Sequence, residues 1–126
     1  LLINKYSASD GDLFPWSFKA NKIGKVIGTR TWGGIVGISG PLPYMDDTDV
    51  RVPFFTNFDA KTGQWIVENH GVDPDILIDN DPIKEQMGED QQLNKAIEVI
   101  MQELKDRKPL PKVPAPRTFK DLGLKQ

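Results

Sequence analysis

The sequence has no cysteine, which removes disulfides, thiol catalysis and cysteine-ligated zinc and leaves the redox compartment undefined. It holds one histidine, His70, so a metal site would need mainly oxygen ligands, and no metal or other cofactor is expected. No apolar run approaches the ~20 residues a membrane-crossing helix requires. Excess charge is missing too: 16 basic against 18 acidic side chains give a net charge of -2, with no electrostatic pull toward nucleic acid or an anionic membrane. Nor is there a lead-in of any kind, since the chain opens without initiator Met or signal peptide in what reads as a buried strand. A central parallel strand needs neighbours supplied by chain on either flank. The 126 residues suit one domain with a modest core, yet they are expected to be the C-terminal piece of a larger protein.

What is present is organised around the opening stretch. Residues 1–6 form a short apolar run without a helical stripe, as in a strand buried on both faces of a parallel sheet. A corner of Ser, Ala, Asp and Gly follows. Ser9 and, three residues on, Asp12, just ahead of Leu13 and Phe14, make a capping-box-like helix start with Asp in place of the usual Glu. Backbone N–H groups and the positive end of a helix dipole face outward at such a start, which suits an oxyanion. Ser9 has two readings: an N-cap, the commoner role of serine before a helix, or a nucleophile on a strand-to-helix turn whose following N–H stabilises a tetrahedral intermediate. The local pattern does not choose between them.

Downstream, residues 12–21 gather Leu13, Phe14, Trp16 and Phe18 into an expected largely buried helix that Pro15 should kink or restart and that ends at Asn21-Lys22-Ile23-Gly24. Residues 25–28 read as a parallel second strand, completing a β-α-β unit. Thr29 to Gly34 is a glycine-bearing turn, poor as a phosphate cradle because no helix follows, and it leads to a strand at 35–38. Residues 39–44 read as loop, with Pro41 and Pro43 blocking regular pairing, and Asp46 to Asp49 as a turn. Strands at 50–58 and 64–68 then suggest an antiparallel hairpin with Pro53 on an edge. Glu68 to Asp75 is a second polar corner before a strand at 76–78. Asp73, Asp75, Asp79 and Asp81 lack the calcium-loop spacing and read as turn formers. Residues 90–107 form the clearest helix, with Leu93, Ala96, Ile97, Ile100, Met101 and Leu104 on one docking face. Residues 108–126 are a proline-rich tail, expected as a strap along its own domain or a partner chain.

At Ser9-Asp10-Gly11-Asp12, Arg30-Thr31-Trp32-Gly33-Gly34 and Glu68-Asn69-His70-Gly71-Val72-Asp73-Pro74-Asp75 the sequence resembles the tricorn protease family, serine peptidases related to the C-terminal processing peptidases. Three motifs in the right order, within a similarity from about residue 1 to 104, make the match specific. The resemblance implies an α/β fold, with a partial ClpP/crotonase-like β-β-α core, an added antiparallel hairpin and a C-terminal helix. It implies residues 1–107 as the C-terminal part of the catalytic domain. It implies Ser9 as nucleophile, with Ser7 as runner-up, the Asp10 N–H as an oxyanion donor and Glu68 as the acid that orients the catalytic tetrad. The lysine base of the processing peptidases corresponds to Gly34, so a serine-lysine dyad is not expected. The family's serine-histidine pair and second oxyanion glycine lie upstream of such a segment, and His70 fills a variable position of its motif and reads as a loop residue. Asp47 stands where relatives often have glycine, which suggests a turn of different shape. The implied function is a serine peptidase acting on peptides, incomplete within these residues, cytoplasmic (alternatively periplasmic or exported) and a homo-oligomer. The competing readings are a non-catalytic α/β interaction module with Ser9 as a cap, and a crotonase-like acyl-binding enzyme with paired N–H donors and no serine nucleophile.

Overall fold

The computed structural model describes residues 1–38, 42–118 and 121–123. In chain order its elements are β1 (Leu2–Ile3), α1 (Asp10–Ala20), β2 (Ile27–Gly28), β3 (Gly37–Ile38), β4 (Leu42–Pro43), β5 (Asp49–Val50), β6 (Pro53–Phe55), β7 (Ile76–Leu77), α2 (Pro82–Gln86) and α3 (Gln91–Lys105). The fold is mixed α/β, with one parallel sheet ordered β1-β2-β7. Leu2 lies opposite Ile27 and Ile3 opposite Gly28, while Ile27 and Gly28 meet Ile76 and Leu77 on the other side. The expected β-α-β unit is therefore formed. Its first strand is shorter than the apolar run suggests, because Asn4 turns the chain: its Oδ1 accepts from the Tyr6 N–H at 3.0 Å and its carbonyl from the Ser7 N–H at 2.9 Å. β1 also sits at the edge of this sheet instead of its centre, with Ile3 buried and Leu2 40% exposed, so burial on both faces does not hold.

α1 starts at Asp10 and runs unbroken through Pro15. It ends where Lys22 turns left-handed (φ 52°) and the Ile23 N–H donates back to Phe18 O at 3.1 Å. The expectation of a largely buried helix fails, since only Asp12 and Pro15 are buried and Phe14 is exposed. Residues 13, 14, 16 and 18 are dense in sequence, but at 100° per residue they spread around the helix and cannot share one buried face.

The middle of the chain pairs in short antiparallel pieces. β3 meets β6, β4 meets β5, and a single bridge joins Phe58 to Trp65. The strand expected at 50–58 thus splits in two, and the hairpin around 60–63 is held mainly by that bridge and by the Asp59 N–H donating to Gln64 O. Pro43 takes part in β4, against expectation, because each strand of a two-stranded ribbon has a free edge where a missing N–H costs nothing. The rest of the expected loop, residues 39–41, lies outside the described residues. Asp47 adopts the glycine-like conformation (φ 62°), so the turn keeps its left-handed shape, which short polar side chains tolerate.

Among the described residues, Ile3, Val26, Ile27, Ile35, Ile66 and Val72 form the buried apolar core. α3 packs across β1 and β2. Its start is tied to the segment after β7 by Gln92 Nε2 donating to Ile78 O (3.0 Å) and by the Gln92 N–H donating to Asn80 Oδ1 (2.9 Å). Its apolar face is only partly covered, with Leu93, Ile97, Ile100, Met101 and Leu104 each 45–57% exposed. α2 was not anticipated. Beyond α3, Leu110 and Val113 are exposed. Among the described residues no helix is long and apolar enough to cross a membrane.

Candidate active site

The two polar corners and the glycine turn between them converge on one spot. The corner at 7–12 is pinned to the turn by the Trp32 N–H donating to Ser7 O (2.9 Å) and the Ser9 N–H donating to Gly34 O (3.2 Å). On the other side of the turn, the Asn69 N–H donates to Gly33 O (2.8 Å) and the Thr31 N–H to Val72 O (3.2 Å). The buried Thr31 hydroxyl accepts from the Val72 N–H at 2.7 Å. Gly33 and Gly71 face each other at this joint with φ +86°, and a Cβ on either would run into the backbone of the opposing segment.

Ser9 stands exposed at the apex of the corner, just before α1. Its backbone is left-handed and off the helical and extended regions, φ 57° and ψ -115°. A non-glycine residue held there is strained, and such strain persists only where surrounding structure imposes it. The side-chain and backbone groups of Ser9 and Asp12 occupy the two places of a capping box, but the Ser9 side chain closes no cap hydrogen bond. The returning half is a full hydrogen bond, with Asp12 Oδ2 accepting from the Ser9 N–H at 2.9 Å, while the Asp12 N–H donates to the Ser9 carbonyl at 2.9 Å. Of the N–H groups from Ser9 to Leu13, those of Ser9, Gly11, Asp12 and Leu13 find acceptors, while the Asp10 N–H donates to none among the described residues. Ser7 has a different environment, with its Oγ accepting from the Asn4 N–H at 3.2 Å within the turn.

Glu68 lies across the glycine turn, half-buried and flanked by the left-handed residues Val67 (φ 65°) and Asn69 (φ 62°). Its Oε2 accepts from the Ile35 N–H at 2.7 Å and the Val36 N–H at 2.9 Å, leaving Oε1 without a partner among the described residues. The peptide joining Gly34 to Ile35 thus receives Ser9 on its carbonyl side and meets Glu68 on its N–H side. Glu68 makes no hydrogen bond to Ser9, so any action of one on the other passes through an intermediary.

His70 is turned to other partners. Its Nε2 lies 2.7 Å from Asp73 Oδ2 and its Nδ1 3.5 Å from an Arg30 guanidinium nitrogen. Since arginine can only donate, the arrangement places the ring proton on Nε2. The hydrogen bond from His70 holds the Asp73 carboxyl below its usual range. The four aspartates that raised calcium have separate duties. Asp73 holds His70, Asp75 accepts from the Val26 N–H (2.8 Å) beside Lys19 (3.2 Å), Asp79 accepts from the Asn80 N–H, and Asp81 caps α2. Among the described residues no group of three or more potential ligands is placed to hold a metal ion.

Asp12 carries more than the sequence suggested. Besides Ser9, its fully buried carboxylate accepts from the Gly33 N–H (2.8 Å, on Oδ1) and the Gly34 N–H (3.1 Å, on Oδ2). The S-x-x-D spacing signalled the first of these bonds, but no local pattern signals the other two.

The profile of peptidase family S41 matches residues 1–78. The tricorn protease of Thermoplasma volcanium is 45% identical over 107 residues, spanning 85% of this chain and 10% of that protein. A tricorn protease homolog of Saccharolobus solfataricus is 42% identical over 105 residues, spanning 82% of this chain and 10% of its own length. A crystal structure of the tricorn protease superposes with a TM-score of 0.74 at 41% identity, covering 83% of this chain and 10% of that one. The chain therefore spans about a tenth of the length of the relatives it matches.

Proposed function

Because the chain belongs to peptidase family S41, we propose that it is the nucleophile-bearing segment of a tricorn-like serine peptidase, with Ser9 as the attacking group. The observation that carries this reading is the conformation of Ser9. It is exposed and strained at a helix start, its side chain closes no cap hydrogen bond, and it is followed by an N–H that donates to no acceptor among the described residues.

In this reading the Ser9 Oγ attacks the peptide carbonyl and its proton passes to a base supplied from outside these residues. The resemblance implies an upstream histidine, since His70 faces Asp73 and Arg30. The Asp10 N–H donates to the developing oxyanion, in concert with a second donor also from outside. The same base returns the proton to the leaving amine, and water then hydrolyses the acyl-enzyme. Glu68 orients the polar network through Oε1, which has no partner among the described residues. The parallel strands with α1 between them fit a partial ClpP/crotonase-like core. From the resemblance we further assign the intact enzyme peptide substrates, a homo-oligomeric state and the cytoplasm.

In the intact protein, Ser9→Ala should lower peptide hydrolysis by several orders of magnitude, whereas Ser7→Ala should leave most of it. The opposite ranking of the two variants would transfer the nucleophile to Ser7.

A further inference from the structure

Asp12 is fully buried, and the chemistry above makes no use of it. We propose that Asp12 is a positioning residue for the Ser9 nucleophile, its carboxylate fixing the corner on the Gly33–Gly34 turn so that Ser9 keeps its strained conformation and the Asp10 N–H stays unclaimed. The proposal rests on the reading of Ser9 as nucleophile and deepens it. Three backbone donors converge on this one side chain, from Ser9, Gly33 and Gly34, at 2.8 to 3.1 Å. Bonds from N–H groups to a carboxylate are stronger than those between neutral groups.

The three donors are not equivalent in consequence. Those of Gly33 and Gly34 belong to a turn that Gly71 and Asn69 also hold. The Ser9 N–H belongs to the residue with φ 57° and ψ -115°, whose other backbone restraint on that side is the longer bond to Gly34 O at 3.2 Å. A backbone held off its preferred regions relaxes once its restraints are removed. Rotation of the Ser9–Asp10 peptide would move the Oγ and the Asp10 N–H together, and a displacement of about 1 Å at reacting atoms can cost on the order of 100-fold in rate. An asparagine would present its NH2 toward one or more of these donors, replacing attraction by repulsion there.

The test uses the intact protein, with active sites titrated by a fluorophosphonate and the adduct mapped. For D12N, kcat per titrated site should fall on the order of 10- to 100-fold, with KM within about twofold of wild type. D12E keeps the carboxylate on a longer arm and should lose less, again at nearly constant KM. D75N serves as the stability control: it loses a buried-edge interaction away from the corner and should keep the wild-type kcat. Wild-type kcat in a folded D12N would overturn the proposal, and if D12N does not fold, wild-type kcat in D12E would do the same. A wild-type adduct mapped away from Ser9 would instead overturn the nucleophile assignment on which the proposal rests.

Discussion

At the scale of single residues, Ser9 sets stability against function. Its side chain closes no cap hydrogen bond, so Ser9→Ala should cost less than the ~1 kcal/mol of a typical lost cap. Ser9→Gly should go further and match or exceed the wild type in stability, because glycine enters left-handed backbone without the ~1 kcal/mol or more that a Cβ costs there. Thermal denaturation of the two variants checks the ordering, and an alanine variant more stable than the glycine one would mean that φ 57° carries no strain. Glu68 invites a different substitution. In Glu68→Gln the side-chain carbonyl can still accept from the Ile35 and Val36 N–H groups, so the fold should survive while the charge on the free oxygen is lost. Turnover should fall at nearly unchanged melting temperature, and identical kinetics across the pH range would reduce Glu68 to a clasp for the β3 lead-in.

At the scale of elements, the joint between the two corners depends on backbone meeting backbone at Gly33 and Gly71. Gly33→Ala or Gly71→Ala combines about 1–3 kcal/mol of left-handed strain with overlap against opposing main chain. Either should therefore strongly lower the denaturation midpoint, whereas Gly63→Ala, which meets open space, should pay only the strain. The strand that closes the sheet adds a pH dependence. Asp75 is held below its ordinary value of 3.8 first by the Val26 N–H and then by Lys19. A carboxyl depressed in the folded state favours folding above its unfolded value and loses that contribution as pH falls through the lower folded value. The stability gap between wild type and Asp75→Asn should therefore be full above about pH 4 and shrink below it, as urea titrations at pH 6 and pH 3 would reveal. Much of this level was legible in the sequence. The β-α-β unit followed from two apolar runs around a helix, and α3 from its 3.6-residue stripe. The Ser9–Asp12 pairing followed from spacing alone. α2 carries its own signals: Asp81 accepts from the Ile83 and Lys84 N–H groups, Pro82 stands at the first turn, and left-handed Gly88 follows the end. The bonds from Asp12 to Gly33 and Gly34 could not be read, since they join residues 21 and 22 positions apart through a turn that only tertiary structure places. The exposure of α1 is of the same kind, because sequence shows how many apolar residues a helix has but not how much surface is available to cover them.

At the scale of the whole molecule, the same arrangement is a partial one. The apolar faces left open, Leu93 to Leu104 on α3 together with Phe54, Phe55 and Trp65 on the hairpin side, exceed what scattered surface residues explain. The isolated 126-residue chain should accordingly self-associate or be unstable, and it should not hydrolyse peptides, since a serine hydroxyl without a base is a weak nucleophile. Light scattering and a peptide assay on the purified fragment check both points, and serine-dependent turnover by the fragment would place the base within these residues and return His70 to consideration. The central claim is that three separated motifs fold together to present Ser9 as a nucleophile. It is tested most directly by treating the intact protein with a fluorophosphonate and mapping the adduct by mass spectrometry: a single phosphonylated residue at Ser9 is the predicted result, and modification at another serine, or no modification of an enzyme that cleaves peptides, would contradict it.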